Sequence, residues 1–125
     1  MATLLKSAEA LLGVKEIVGA QHNPLVVGMH QMFAPWVQDD ETPWCGSACG
    51  FVLRLNGYKT PGWPDAKHKA LSARQYLTVG NPVGEWDDRA LLIIGGGNQS
   101  NAYNDSRYPV SRLLGLRKMT RSWMA

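Results

Sequence analysis

Residues 42–53 read Thr42-Pro-Trp-Cys-Gly-Ser-Ala-Cys-Gly-Phe-Val-Leu53, and this stretch predicts a helix with a cysteine in its first turn. Thr42 is a favourable N-cap, and Pro43 suits the first helical position, where its missing N–H costs nothing. Cys45 then falls at the third helical position, where unpaired N–H groups and the helix dipole favour a thiolate, the nucleophilic form. The alternative is that Cys45 is a small buried apolar residue, the commoner role of a free cysteine.

The rest of this helix predicts packing. Cys49 follows one turn later and continues a face that we expect to lie in the core. Gly46 and Gly50 each lower helix propensity by about 1 kcal/mol, so we interpret them as points where another backbone segment approaches. Gly57 predicts a left-handed end to the helix.

Three acidic residues, Asp39, Asp40 and Glu41, lie just before the predicted helix. Acidic side chains there complement the positive end of a helix dipole. They would oppose a thiolate if they pointed at it. We expect them to be solvated capping charges.

Composition and charge exclude several classes of protein. The 125 residues carry a net charge of +3, a pI of about 9.0 and 18% charged residues, typical of one globular domain. Because the Lys and Arg residues form no block, we expect no nucleic-acid partner. No apolar run approaches the roughly 18 residues of a membrane span, and residues 1–12 lack a signal peptide's apolar segment. The expectation is synthesis in the cytoplasm without an export signal.

Two cysteines four residues apart on one helix have poor geometry for a disulfide. Neither a CxxC pair nor a second ligand cluster is present, so we expect no metal and no cofactor.

The order of patterns along the chain predicts an α+β fold. Helical patterns cover residues 3–12, capped by Thr3 and ended by Gly13, and a second helix opened by Asn23-Pro24 and stopped by Pro35. In that second helix Leu25, Val26, Met29 and Met32 are expected on or near the buried side.

A fourth helix is expected over residues 66–79, capped by Asp65, with Ala70, Ala73, Tyr76 and Leu77 facing inward. Residues 83–88 then form a linker.

Strands are expected near residues 90–94, 102–106 and 110–117, with a tight turn at 95–100. The prediction is a single domain over residues 1–117, with N-terminal helices on a small antiparallel sheet formed by the C-terminal third. Residues 118–125 are expected to be a tail that frays.

Several of these stretches, taken together, resemble a known family. The chain is similar to the small phage and prophage peptidoglycan hydrolases of the CHAP and NlpC type, which are papain-like cysteine amidases or endopeptidases. The similarity extends over nearly the whole chain and is most specific around Cys45 and residues 96–99. The matching stretches are Leu12-Gly-Val-Lys-Glu-Ile-Val-Gly19, His22-Asn-Pro24, Asp40-Glu-Thr-Pro-Trp-Cys45, Ala73-Arg-Gln-Tyr-Leu77, Gly96-Gly-Asn-Gln-Ser-Asn101, Tyr108-Pro-Val-Ser-Arg112 and Leu114-Gly-Leu-Arg117.

The resemblance implies a truncated papain-like fold and a set of catalytic roles. Cys45 matches the nucleophile, and Asn98 lies where such enzymes place the group that orients the histidine. Gln99 is its neighbour and could instead serve the turn. The reaction implied is thiolate attack on a cell-wall peptide amide, then hydrolysis of the thioester. The Cys45 N–H, with a nearby donor, would form the oxyanion hole.

The sequence departs from the family where the catalytic histidine is expected. Relatives carry a pair of strands with a Gly-His-Val-Gly-like segment before the Gly-Gly-Asn-Gln stretch. Here only residues 79–89 occupy that interval, and they contain no histidine. Substitute bases would be His22, His30 or His68, although a structural or surface role is expected for each.

Two functions therefore remain open from the sequence. One is a peptidoglycan hydrolase whose activity is impaired by the missing segment. The other is a catalytically dead relative that binds cell-wall peptide or phage structural proteins, or associates with itself through an exposed sheet edge. It would then be incorporated in a phage particle or released to the cell wall.

Overall fold

The computed structural model places helices in the first part of the chain and strands mainly in the last part. It describes residues 4–17, 19, 21–83, 91–99, 102–109 and 116–125. The α-helices are α1 (Leu4–Glu9), α2 (Pro24–Gln31) and α3 (Cys45–Leu55), and the 3-10 helices are η1 (Lys67–Leu71), η2 (Ala73–Thr78) and η3 (Arg121–Trp123). The strands are β1 (Asn81–Val83), β2 (Leu91–Gln99), β3 (Ala102–Pro109) and β4 (Leu116–Lys118). This order confirms the α+β class.

The strands form two antiparallel pairs. β2 pairs with β3 from Leu91 opposite Pro109 to Gln99 opposite Ala102, and β1 pairs with β4. α3 packs against β2, and α1 contacts both α3 and β2. The predicted packing of the Cys45 helix on antiparallel strands is therefore confirmed. The described strands form two separate pairs, however, and not the single sheet that was predicted.

The glycine-rich stretch does not form the predicted tight turn. Residues 95–99 belong to β2, and the strand pairing shifts register between Gly96 and Gln99. Glycines inside a strand often mark such an irregularity, because they lack a side chain that must stay on one face. Residue 100, the last of the predicted turn, lies outside the described residues.

The second helix starts where the sequence predicts. Asn23 is its N-cap, and the Asn23 side chain accepts a hydrogen bond of 2.9 Å from the Leu25 N–H. Val26 and Met29 are buried, whereas Leu25 and Met32 are exposed, so the predicted inward face is correct only in part. The first helix is shorter than predicted, and its proposed cap, Thr3, lies outside the described residues.

The predicted fourth helix is instead the pair η1 and η2. Ser72 separates them with an extended backbone (φ −93°, ψ 118°), and the Asp65 side chain caps neither. With about three residues per turn rather than 3.6, the inward face differs from the expected one. Ala70 is buried as predicted and Tyr76 is half-buried, but Ala73 and Leu77 are exposed.

The end of the chain is integrated into the fold and does not show the predicted fraying. Of the predicted linker, Val83 is the last residue of β1, which pairs with β4, and residues 84–88 lie outside the described residues. The Lys59 N–H donates to the Trp123 carbonyl at 2.8 Å, and the Ala125 N–H donates to the Gly57 carbonyl at 2.8 Å. These bonds attach residues 118–125 to the loop after α3. Gly57 has the predicted left-handed backbone, with φ 82°.

The core lies between α1, α2, α3 and the start of β3. It consists of Leu11, Val26, Met29, Trp44, Ala48, Val52 and Tyr103. Trp44 has no exposed surface, which fixes the chain just before α3. No helix in the described part of the chain is long and apolar enough to cross a membrane.

The two glycines of α3 permit the close approach that the sequence predicts. A Cβ on Gly46 would lie 2.5 Å from the Leu71 carbonyl oxygen and 2.6 Å from that of Ala70. A Cβ on Gly50 would lie 2.6 Å from the Tyr76 hydroxyl. The segment containing η1 and η2 can therefore pack directly on the backbone of α3.

Replacing Gly46 with Ala should destabilise the protein by about 1–3 kcal/mol, because the methyl group meets rigid carbonyl groups. Gly28 is the matched control, since it lies in α2 with no atom within 4 Å of an added Cβ. Gly28→Ala should stabilise the protein by about 0.5–1 kcal/mol. Urea unfolding of both variants measures the difference, and equal stabilities would contradict the close approach.

Candidate functional site

Cys45 is the first residue of α3, and its side chain is exposed. The Trp44 carbonyl accepts the first helical hydrogen bond, from Ala48 at 2.9 Å, so Trp44 occupies the N-cap position. The predicted cap, Thr42, is wrong, because its N–H and hydroxyl are bound to Asp39 Oδ1 at 2.6 and 2.9 Å. Cys45 therefore lies two positions nearer the helix end than predicted, and it is not the buried apolar residue of the alternative interpretation.

Trp44 holds this helix end in place. Its buried indole donates a 3.0 Å hydrogen bond from Nε1 to Glu16 Oε1. The N–H groups of residues 45–47 have no helical acceptor, because they belong to the first turn. They are the groups that stabilise negative charge at the end of a helix, next to the Cys45 thiol.

Cys49 is exposed, so the prediction that it lies in the core is wrong. Even so, exclusion of water by the surrounding protein raises the pKa of its thiol to about 12, and the nearby charge of Cys45 adds to the increase. The exposed surface of Cys49 indicates contact with solvent, whereas the raised pKa of its thiol indicates exclusion of solvent. The exposure is that of the whole residue, whereas the pKa reflects the sulfur, whose charged form the surrounding protein disfavours. At neutral pH Cys49 is then a thiol and not a second nucleophile.

Tyr76 closes one side of this region. Its hydroxyl oxygen lies 2.6 Å from the Gly46 carbonyl oxygen and 2.8 Å from that of Ala70, so its single hydrogen is donated to one or shared. Burial raises the pKa of Tyr76, and the charges of Cys49 and Cys45 raise it further. The hydroxyl is therefore a hydrogen-bond donor at neutral pH, not an acid.

His30 is a structural residue. It is fully buried, which agrees with the structural role that the sequence analysis allowed for it. Its Nε2 must carry a hydrogen, because it donates to the Thr42 carbonyl at 3.0 Å, and its Nδ1 lies 2.8 Å from Ser47 Oγ. Both ring nitrogens are engaged, so His30 has no free nitrogen to accept a proton from Cys45.

His22 and Asp40 form a different arrangement. His22 Nδ1 lies 3.0 Å from Asp40 Oδ1, and the imidazole is partly exposed. The hydrogen bond with Asp40 raises the pKa of His22. The other nitrogen, Nε2, makes no hydrogen bond with a described residue. A carboxylate bound to Nδ1 with Nε2 free is the arrangement that orients a catalytic imidazole.

Asp40 is fully buried, so the expectation that it is a solvated capping charge is wrong. The Ile17 N–H donates to Asp40 Oδ2 at 2.7 Å and the Asn23 N–H at 2.8 Å. Burial by itself would raise the pKa of Asp40, but these two hydrogen bonds and His22 outweigh it and lower the pKa to about 2. The carboxylate is therefore charged across the physiological range.

The remaining predicted residues lie elsewhere or outside the description. His68 is exposed in η1, with its ring centroid 6.3 Å from that of the exposed Trp36. Asn98 and Gln99 lie in β2, not in a turn, and their side chains are outside the described residues. Among the described residues, no side chain forms a hydrogen bond with the Cys45 thiol, and no group of three metal-ligating side chains comes together.

The sequence analysis missed three contributors, namely Glu16, the buried role of Asp40, and Tyr76 as a partner of α3. Glu16 is 28 residues from Trp44, and Asp40 is 18 residues from His22. No local pattern predicts pairs at such separations. Gly46 and Gly50 were the sequence feature that indicated a segment packed on α3, and Tyr76 belongs to that segment.

No family model, curated protein or solved structure matches this chain.

Asp40→Asn should lower the free energy of unfolding by about 1.5–3 kcal/mol at pH 7, because hydrogen bonds to a charged acceptor are lost. Glu41→Gln removes the same charge from an exposed neighbour and should change stability by less than about 0.5 kcal/mol. The Asp40 contribution is present above its unfolded pKa of 3.8 and is lost as pH falls through about 2. Urea unfolding from pH 2 to 7 measures this, and a pH-independent difference would contradict it.

The loss of stability caused by His22→Gln should depend on pH in the opposite direction to that caused by Asp40→Asn. The raised pKa of His22 means that its pairing with Asp40 stabilises the fold fully below 6.5, and this contribution is lost as pH rises through the folded-state pKa. The stability difference between wild type and His22→Gln should therefore shrink above neutral pH. His68→Gln is the control, and a difference that grows with pH would refute the pairing.

Proposed function

We propose that this protein acts on bacterial cell-wall peptides as a peptidoglycan hydrolase-like cysteine amidase or endopeptidase of papain-like type, with Cys45 as nucleophile and with impaired amide hydrolysis. One observation carries the proposal: the exposed Cys45 thiol lies at the first position of α3, next to N–H groups without helical acceptors. The resemblance of the surrounding sequence to CHAP and NlpC-type enzymes supports it.

The proposed chemistry is acyl transfer. The Cys45 thiolate forms a bond to the carbonyl carbon of the substrate amide, and the carbonyl oxygen becomes an oxyanion that accepts hydrogen bonds from N–H groups of the first turn. The C–N bond then breaks, and the amine leaves with a proton supplied by a general acid. Water hydrolyses the thioester and regenerates the thiol.

The difficult step is protonation of the leaving amine. A positioned general acid–base group contributes typically about 10²–10⁴-fold. His30 has both nitrogens bonded, and His68 has no carboxylate partner among the described residues. His22 has a buried carboxylate on Nδ1, and its Nε2 makes no hydrogen bond with a described residue. His22 is therefore the best substitute base, and Asp40 would be its orienting partner.

An activated ester separates nucleophile from acid catalysis, because its phenolate leaves without a proton. We expect Cys45 to cleave a p-nitrophenyl ester, and a peptide amide to react very slowly. Cys45→Ala should abolish both reactions, while Cys49→Ala should leave them unchanged because the Cys49 thiol stays protonated at neutral pH. Equal ester cleavage by wild type and Cys45→Ala would refute the role of Cys45 as nucleophile.

His22→Gln tests the substitute base. If His22 acts on Cys45, the variant loses about 10²-fold or more of the amide activity measured by clearing of cell walls in a gel. His68→Gln is the matched control. Equal clearing by wild type and His22→Gln would show that His22 serves stability alone.

A second candidate is a catalytically dead relative that binds a partner, as in a phage tail or virion. It is favoured by an open apolar groove of about 510 Å³ between the helices. Leu25 and Leu55, which line it, are 40% and 56% exposed. Within the described residues, β2 has one neighbouring strand and therefore an open edge, whereas the start of β3 is bridged by residues 13–15. The groove is lined by Lys6, Ser7, Ala10, Leu11, Leu25, Phe51 and Leu55.

Light scattering during size-exclusion chromatography tests this candidate together with the ester assay. A dimer or larger assembly without ester cleavage would favour the binding role. A monomer that cleaves the ester would favour the hydrolase.

A further inference from the structure

Charged residues are unevenly distributed between two parts of the molecule. In residues 54–83 and 116–125 there are eight Lys and Arg residues and one acidic residue, Asp65. In the described residues from 4 to 53 there are two Lys residues and five acidic residues. The net charge of the whole chain is modest, but residues 54–83 and 116–125 together are strongly basic.

Backbone contacts join the two basic segments into one region. β1 pairs with β4, with Asn81 opposite Lys118. The Lys59 N–H donates to the Trp123 carbonyl, and Tyr58 forms a bridge with Met124. We call residues 54–83 and 116–125 the basic face.

Some cations of the basic face have internal partners. Arg117 donates to the carbonyls of Val79 and Gly80. Arg54 lies 4.0 Å and Lys67 4.7 Å from the centre of the Trp63 ring.

Four other cations, namely Lys69, Arg74, Lys118 and Arg121, are exposed. No ion pair joins any of the four to an acidic residue in the part of the chain that the structure describes. Their charges are therefore directed to solvent from η1, η2, β4 and η3.

We propose that the basic face binds a polyanionic cell-wall polymer with repeating phosphodiester groups. Cations distributed over four elements suit a long chain with regularly spaced charges better than a single small anion. Such a chain would release counterions on binding, which makes affinity salt-dependent. The choice of a wall polymer rests on the proposed function, while the binding of a polyanion rests on the charges alone.

The surroundings of the Trp63 ring argue against single-stranded nucleic acid as the ligand of the basic face. Proteins that bind single strands stack bases on exposed aromatic rings. The Trp63 ring instead has two cations over it, Arg54 and Lys67. A base would have to displace these cations to stack on the Trp63 ring.

Binding of fluorescent poly(glycerol phosphate) to the Cys45→Ala protein tests the proposal without any hydrolysis. With four phosphates neutralised and a slope near −0.7 per charge, affinity should fall roughly 50-fold between 50 and 200 mM salt. Lys69→Glu and Arg74→Glu should each weaken binding at least about fivefold. Lys15→Glu changes the net charge equally from an exposed site outside the basic face, and it should change affinity less than twofold.

Three outcomes would overturn the proposal. They are absence of binding at 50 mM salt, equal effects of Arg74→Glu and Lys15→Glu, and tighter binding of an oligonucleotide of equal charge than of the polymer. Because the readout does not need the thiol, loss of ester cleavage in the earlier assay would leave this result unaffected. Polymer binding without ester cleavage would refute the role of Cys45 as nucleophile and would support the basic face as a polyanion-binding surface.

Discussion

The buried carboxylate of Asp40 is the interaction on which the candidate site depends. It accepts hydrogen bonds from the Ile17 and Asn23 N–H groups and pairs with His22, so one side chain holds the loop before α2 against the segment before α3. A buried charge is costly unless every acceptor site is used. Asn23 caps α2 in the same place, so the starts of both helices are tied to one anion.

A second set of contacts determines where Cys45 lies. The Trp44 indole is fully buried and bonded to Glu16, which leaves the next residue, Cys45, at the surface end of α3. His30 binds Ser47 and the Thr42 carbonyl and thereby fixes the same turn from the other side. His30 is thus part of the scaffold. His22 differs, because its Nδ1 pairs with a buried carboxylate and its Nε2 makes no hydrogen bond with a described residue.

The two glycines of α3 connect this site to the basic face. Gly46 lets the carbonyls of Ala70 and Leu71 approach the helix, and Gly50 admits the Tyr76 hydroxyl. η1 and η2, which carry Lys69 and Arg74, consequently pack against α3, the helix that begins at Cys45. The basic face would attract a polyanion to this part of the molecule. Attraction of this kind raises the local concentration of an anionic ligand even when the chemical step is slow.

Local sequence determined what depends on neighbouring residues. Asn23-Pro24 started α2, Gly57 ended α3, and Gly46 and Gly50 predicted a close approach, because caps and glycine effects act within a few residues. Local patterns failed where other contacts decide the structure. Residues 95–99 form a strand paired with β3, and residues 66–79 form two 3-10 helices against α3. At shorter range, Thr42 binds Asp39 and does not cap α3. The burial of Asp40, its pairing with His22 and the engagement of both His30 nitrogens were decided by tertiary structure alone, since each joins residues at least 12 positions apart.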